Sequence, residues 1–199
     1  MKKLLTWLSF ACLLGLSGCG GGVEVSAVVD SSPPAPMATA GYLRFPTISG
    51  LEYFNSLTGA EVNLTTSTGG YIGYTDGDLV TFTLGDIILF TMPGYLTLPI
   101  SSLYDANLYT SSVLHSNTAV ENLMAFLMTI DDDGDYTNGI QISYPVRVAA
   151  LGLRINFNQS AYDFRADPAV QYATAVLSAN THYGQRTLPS PTDAILALQ

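Results

Sequence analysis

Gly77-Asp78-Leu79-Val80-Thr81-Phe82-Thr83-Leu84-Gly85 reads as one β-strand set between two glycines. Apolar and threonine side chains alternate from Val80 to Leu84. Because successive side chains of a strand point to opposite faces, Val80, Phe82 and Leu84 are expected on a buried face and the threonines on the other. The neighbouring sequence follows the same pattern. Apolar, β-branched or aromatic runs at 42–45, 51–54, 62–66, 71–74 and 87–91 are parted by Gly, Asn, Ser or Asp. Thr75-Asp76-Gly77-Asp78 places an Asp-Gly pair between two such runs and predicts a hairpin there. A small antiparallel β-sandwich over residues 42–100 suits this spacing.

The period then changes. Thr118-Ala119-Val120-Glu121 fits a capping box, and Val120, Leu123, Met124, Leu127 and Met128 recur behind it at helical spacing as far as Ile130. Asp167-Pro168 and Ser190-Pro191 each set an N-cap residue before a proline at the first helical position, predicting short helices at about 168–178 and 191–198. Residues 146–157 are apolar and ambiguous, with Arg154-Ile155-Asn156-Phe157 reading as strand. The fold class expected is α+β, an N-terminal antiparallel β-sandwich packed with a mainly helical and mixed region at 101–199 of the same globular unit. Val80, Phe82, Leu84, Leu123 and Leu127 are expected in its core.

The chain has 199 residues, 48% apolar and 12% charged, enough for one domain with a sizeable core. Lys2 and Lys3 precede an apolar run from Leu4 to Leu16. As a helix that run spans about 20 Å, short of the ~30 Å hydrocarbon core of a bilayer, so residues 1–18 read as a signal peptide. Leu16-Ser17-Gly18-Cys19 resembles the lipobox of bacterial lipoproteins. The resemblance implies cleavage before Cys19 and a covalent lipid on it, and Gly20, where an Asp favours inner-membrane retention, implies the outer membrane. The other reading is a soluble secreted protein. Residues 19–41, with Gly20-Gly21-Gly22 and Ser31-Ser32-Pro33-Pro34-Ala35-Pro36, read as the lipidated N-terminus and a flexible tether. From Cys19 onward the chain keeps five arginines and no lysine against sixteen Asp and Glu, a net charge of −11. That excludes the cationic footprint nucleic acid requires, so the expected partners are the membrane, through the anchor, and an envelope protein or glycan. With Cys12 in the leader and Cys19 lipidated, no thiol remains for a disulfide or a metal.

Asp131-Asp132-Asp133-Gly134-Asp135-Tyr136-Thr137-Asn138-Gly139 is the densest cluster of oxygen ligands. Asp131, Asp133 and Asp135 at alternate positions, with Asn138, suit Ca²⁺, which takes six to eight oxygens. The loop is not an EF-hand, since counting from Asp131 puts Tyr136 where the turn needs Gly and Ile142 where a bidentate Glu belongs. A non-EF-hand Ca²⁺ loop and a solvated acidic turn both fit the sequence. Catalytic signatures are sparse: no Gly-x-Ser-x-Gly, Ser-x-x-Lys or His-x-x-x-His occurs, and His115 and His182 are lone loop histidines. No catalytic residue is assigned. Tyr42, Tyr53, Tyr71, Tyr74, Tyr95, Tyr104 and Tyr109 offer either core packing or a stacking surface for a partner.

Gly50-Leu51-Glu52-Tyr53, Thr68 to Tyr74, Gly77 to Gly85, Asn122 to Leu127, Asp131 to Asp135, Asn138-Gly139-Ile140 and Leu188 to Ala194 together resemble a module of Gram-negative lipoproteins and secreted surface proteins. Tyr71 replaces the module's usual Phe, and its Thr-Asp-x-x-Gly turn becomes Ser67-Thr68-Gly69-Gly70. The resemblance implies an extracytoplasmic lipoprotein with a β-sandwich and a helical cap. The function expected is a lipid-anchored outer-membrane lipoprotein with a non-catalytic binding or structural role, with either Ca²⁺ or no cofactor beside the covalent lipid on Cys19. The alternatives are an accessory lipoprotein of an envelope secretion or transport complex and a carboxylate-based hydrolase.

Overall fold

In the computed structural model Val80, Phe82 and Leu84 are fully enclosed, and the threonines between them are half-buried. The structure describes residues 37–44, 46–59, 61–74, 77–94, 97–103, 114 and 116–199. Among these the chain runs β1 (Ala38–Arg44), β2 (Ile48–Ser49), β3 (Glu52–Asn55), β4 (Asn63–Leu64), β5 (Gly70–Tyr74), β6 (Leu79–Leu84), β7 (Ile87–Pro93) and β8 (Thr97–Pro99). It continues through α1 (Asn117–Ile130), β9 (Ile140–Gln141), α2 (Tyr144–Ala149), α3 (Ala161–Ala166), α4 (Pro168–Ser178) and α5 (Pro191–Leu196), an α+β arrangement. Strand β1 takes in Ala38 to Gly41, which the sequence reading gave to the tether.

Strand β6 lies inside an antiparallel sheet of order β4-β3-β6-β7. Gly85 and Asp86 turn β6 into β7 in two residues, and Gly85 has the positive φ (53°) that such a turn demands. A bulge next to Phe82 shifts the register, so that Leu89 and Phe90, consecutive in sequence, are both enclosed. Phe82 stacks on Phe90 with ring centroids 4.7 Å apart.

The predicted hairpin across Asp76-Gly77 does not form. β5 pairs antiparallel with β1, whose other edge pairs parallel with β8. Side chains reaching from β3 take the place of a partner strand along β5. The Tyr53 hydroxyl accepts from the Ile72 N–H (3.1 Å), and Asn55 Nδ2 donates to the Ile72 carbonyl (2.9 Å). The enclosed Asp78 carboxylate accepts from Asn55 Nδ2 (2.7 Å), Tyr74 N (3.1 Å), Ser56 Oγ (3.1 Å) and Leu57 N (3.2 Å). β5 and β6 thus belong to different sheets, and the enclosed Asp78 carboxylate is hydrogen-bonded on both oxygens. A Cβ at Gly73 would stand 1.7 Å from the Gly94 carbonyl oxygen, so the backbones approach too closely for any side chain there. Across the same gap the Tyr71 ring of β5 meets Phe82 edge-on at 5.1 Å and Tyr53 at 6.0 Å.

Helix α1 starts and stops close to expectation but is capped elsewhere. Ser116 is the N-cap, its side chain accepting from Ala119 N at 3.1 Å, and Thr118 lies inside the first turn. Asp167 and Ser190 cap α4 and α5 as predicted, and Ser190 with Asp193 forms a capping box. Residues 154–157 are not a strand: α2 precedes them, and the buried Asn122 side chain of α1 donates to the carbonyls of Phe157 and Gln159, both at 3.0 Å. Phe157 packs between Phe126 (5.6 Å) and Phe164 (5.7 Å). The parallel pairing of β2 with β9 ties the helical half to the strand-rich half. One hydrophobic cluster joins Phe82 and Leu84 with Leu123, Leu127 and Leu177.

Candidate functional site

The acidic segment begins where α1 ends. Asp131 leaves helical geometry (φ −62°, ψ 130°) and turns its side chain inward, where it is 0% exposed. Its Oδ1 accepts from Gln141 N at 2.8 Å, and the Gln141 carbonyl accepts from Asp132 N at 2.9 Å, so β9 closes residues 131–141 into a ring. Asp131 Oδ2 has no hydrogen-bond donor, and the charge of nearby Asp133 adds to the upward push on the Asp131 pKa. Burial pushes the Asp131 pKa up to about 6, against the Gln141 N–H, which lowers it.

Asp133 sits at the exposed rim. Its Oδ1 accepts from Asp135 N (2.9 Å), and its Oδ2 accepts from Asn138 Nδ2 (2.9 Å) and Gln141 Nε2 (3.0 Å). These bonds, Asn138 foremost, hold its pKa below the ordinary carboxylate value. Asp135 faces elsewhere, accepting from the N–H and hydroxyl of Thr137 as the cap of a short 3₁₀ turn. Of the four predicted ligands, Asn138 bonds Asp133, Asp131 bonds the Gln141 backbone, and Asp135 Oδ1 is engaged with Thr137. Among the described residues no three acidic, His or Cys side chains are placed to share an ion. Gln141, ten residues beyond Asp131, joins the cluster without any signal in the local motif.

A second segment clasps the loop. His182 Nδ1 pairs with Asp132 Oδ2 at 2.9 Å, and the backbone N–H groups of His182 (3.2 Å) and Tyr183 (3.0 Å) bond the Asp132 carboxylate and carbonyl. Burial raises the Asp132 pKa, but the His182 hydrogen bonds outweigh it and hold the group below its ordinary value. Arg186 donates to the Asp131 carbonyl and lies 4.9 Å over the Tyr183 ring. The His182 side chain is otherwise 90% exposed, so the pair is a surface contact that positions a loop. The pairing has no signal in the sequence, where His182 reads as a lone loop histidine, because fifty residues separate it from Asp132. A shallow cleft of about 340 Å³, lined by Arg44, Thr47, Tyr136, Asn138 and Gln199, adjoins the loop.

The tyrosine surface is corrected in part. Tyr53 and Tyr71 are core residues, and Tyr42 and Tyr74 are half-buried. Among the described residues the well exposed tyrosines are Tyr144, Tyr162, Tyr172 and Tyr183, in the helical half. Cys19, His115, Tyr95, Tyr104 and Tyr109 lie outside the described residues. No family model, curated protein or solved structure matches the chain. Among the described residues no helix is long and apolar enough to cross a membrane.

Proposed function

We propose that this chain is a lipid-anchored outer-membrane lipoprotein with a non-catalytic binding or structural role in the cell envelope, and that its acidic loop holds Ca²⁺. The observation that carries the anchor is Leu16-Ser17-Gly18-Cys19 at the end of a short apolar run behind Lys2 and Lys3. Eighteen residues separate Cys19 from strand β1, enough for about 60 Å of extended chain between the lipid and the fold. The fold beyond is read as a small β-sandwich with a helical cap, supported by the contact of Tyr71 on β5 with Phe82 on β6. Support for Ca²⁺ comes from Asp131, whose enclosed carboxylate has one oxygen without a donor beside Asp133. A binding role also agrees with how the polar groups are used, since Asp132 and His182 are committed to holding two loops together.

The test is Cys19→Ser. The wild-type chain is expected in the outer-membrane fraction after expression in a Gram-negative cell, and the variant in the soluble periplasmic fraction. Equal membrane retention of both proteins would refute the anchor. The calcium part is tested separately by melting in millimolar Ca²⁺ against a chelator, where binding stabilises by about 2.7 kcal/mol at a hundredfold excess over Kd.

A further inference from the structure

We infer that the cleft between α4 and residues 185–188 binds an acidic sugar, a saccharide unit bearing one carboxylate or phosphate, with Arg165 gripping the oxyanion. This gives the binding role proposed above a ligand class, and its failure would leave the lipid anchor and the acidic loop, which have their own tests, untouched.

Three observations converge. First, the cleft is cationic in an acidic protein. It has a volume of about 370 Å³ and is lined by Arg165, Arg186, Gln171, Thr174, Gln185 and Thr187, with no carboxylate among its described lining residues. Two of the five arginines that the chain carries from Cys19 onward thus meet at one cleft. Among the described residues the ion pair is that of His182 with Asp132, and neither of these arginines has a carboxylate at such range. Glu121 acts on Arg165, and Asp131, Asp132 and Asp133 act on Arg186, through space. Burial disfavours the charge of both guanidiniums, and an oxyanion beside them offsets that cost. The net negative charge of the chain repels anions at long range, but in about 0.1 M salt it is screened beyond ~10 Å, so the local cations decide.

Second, Arg165 is held ready. Its Nη1 donates to the Ala161 carbonyl (3.1 Å) and its Nη2 to the Pro189 carbonyl (2.7 Å). Of the five N–H groups of a guanidinium these bonds use two, which fixes the plane of the fork and leaves three without a protein acceptor. A planar fork set in advance matches the paired oxygens of a carboxylate or phosphate. Arg186 is engaged differently, since it donates to the Asp131 carbonyl, lies over the Tyr183 ring and has its Nε enclosed without an acceptor. It adds positive charge to the cleft rather than a grip. Third, the rest of the wall suits a polyol. The Gln185 and Thr187 side chains are exposed and have no hydrogen-bond partner among the described residues, so an amide and a hydroxyl are left to donate and accept. Gln171 uses an amide N–H on the Arg165 carbonyl (2.9 Å), which leaves its oxygen as an acceptor. A bare anion would satisfy Arg165 and leave these groups unmet, whereas sugar hydroxyls both donate and accept. The volume, at the small end of the range for ligand pockets, fits one sugar unit.

Glucuronate, glucose 6-phosphate, neutral glucose, inorganic phosphate and acetylglutamate are each titrated into the full chain in a neutral detergent, following the arginine Nε–H and side-chain amide NMR signals. The two charged sugars are expected to move the Arg165 Nε–H and Gln185 amide signals saturably, and glucose to leave them still. Inorganic phosphate and acetylglutamate are expected to bind about tenfold or more weakly than the charged sugars. Whichever charged sugar binds tighter names the source, a uronate-bearing or a phosphate-bearing glycan. Arg165→Gln is expected to weaken binding about tenfold or more, and Arg44→Gln, the same charge change on an exposed arginine outside the cleft, to stay within about twofold. The wild-type signals report on the cleft directly, whether or not Arg165→Gln folds. The proposal is overturned if neither charged sugar moves those signals, or if Arg44→Gln weakens binding as much as Arg165→Gln. It is overturned equally if inorganic phosphate or acetylglutamate binds as tightly as the charged sugars, which would make the cleft a site for a bare ion or an acidic peptide.

Discussion

Asp131 and Asp135 are chemically identical residues four positions apart, and the fold gives them opposite surroundings. Asp131 is enclosed, while Asp135 is exposed and caps a turn. The sequence marks both as ligands because alternation along the chain is visible there. Which carboxylate turns inward is set by where Gln141 returns, and this cannot be read locally. The burial has a consequence for stability in a chelator. The folded-state pKa of Asp131 is raised from 3.8 to about 6, so between those values the folded protein keeps a proton that the unfolded chain has released. Its contribution is fully present below the unfolded value, falls as pH rises through this window, and levels off above about 6. Asp131→Asn keeps the Oδ1 acceptor for Gln141 N and supplies an N–H toward Asp133 without a charge. The expected outcome in a chelator is that the variant melts above wild type at pH 7 and that the difference shrinks toward pH 4. A variant melting below wild type at pH 7 would show that the charged form is accommodated in the fold.

At the scale of elements, the two-residue period of β6 and the helical period of α1 were legible because each element buries one continuous set of side chains. Pairing was less so. The Asp76-Gly77 signal is local, whereas β5 pairs with β1, distant in sequence, and Tyr53, Asn55 and Asp78 bond its backbone from other elements. Strands β2 and β9 have two residues each, too few to display any period. Two substitutions measure what these elements contribute. Phe82 is fully enclosed among Tyr53, Tyr71 and Phe90, so Phe82→Ala should cost about 3 to 5 kcal/mol in denaturant unfolding through lost transfer energy and a residual cavity. The sequence places the cap at Thr118, but the Ser116 side chain is the one that accepts from Ala119 N. Ser116→Ala is expected to cost about 1 kcal/mol, and Thr118→Ala to stay within about 0.5 kcal/mol. The reverse order would move the start of α1 to the capping box that the sequence suggests.

On the scale of the whole molecule, a folded unit stands behind a proposed lipid anchor. The unit spans Ala35 to Gln199 and shares one hydrophobic cluster between its sheets and its helices. Its α+β class was legible because a change of period is a global property of the sequence. The clasp between residues 131–134 and 181–186 was not, because its partners lie about fifty residues apart and are joined by the contact of α1 with α4. The proposed address rests on Leu16-Ser17-Gly18-Cys19 as a linear motif and needs no folded structure to be read. The proposed role depends on that address. If Cys19 is lipidated, the acidic loop works at a membrane-tethered surface; if it is not, the protein is a free secreted domain. Intact-mass and amino-terminal peptide mass spectrometry of the protein purified from its native envelope decides between them. The expected result is a chain beginning at Cys19 that carries a diacylglyceryl group, and an unmodified amino terminus at any other residue would contradict it.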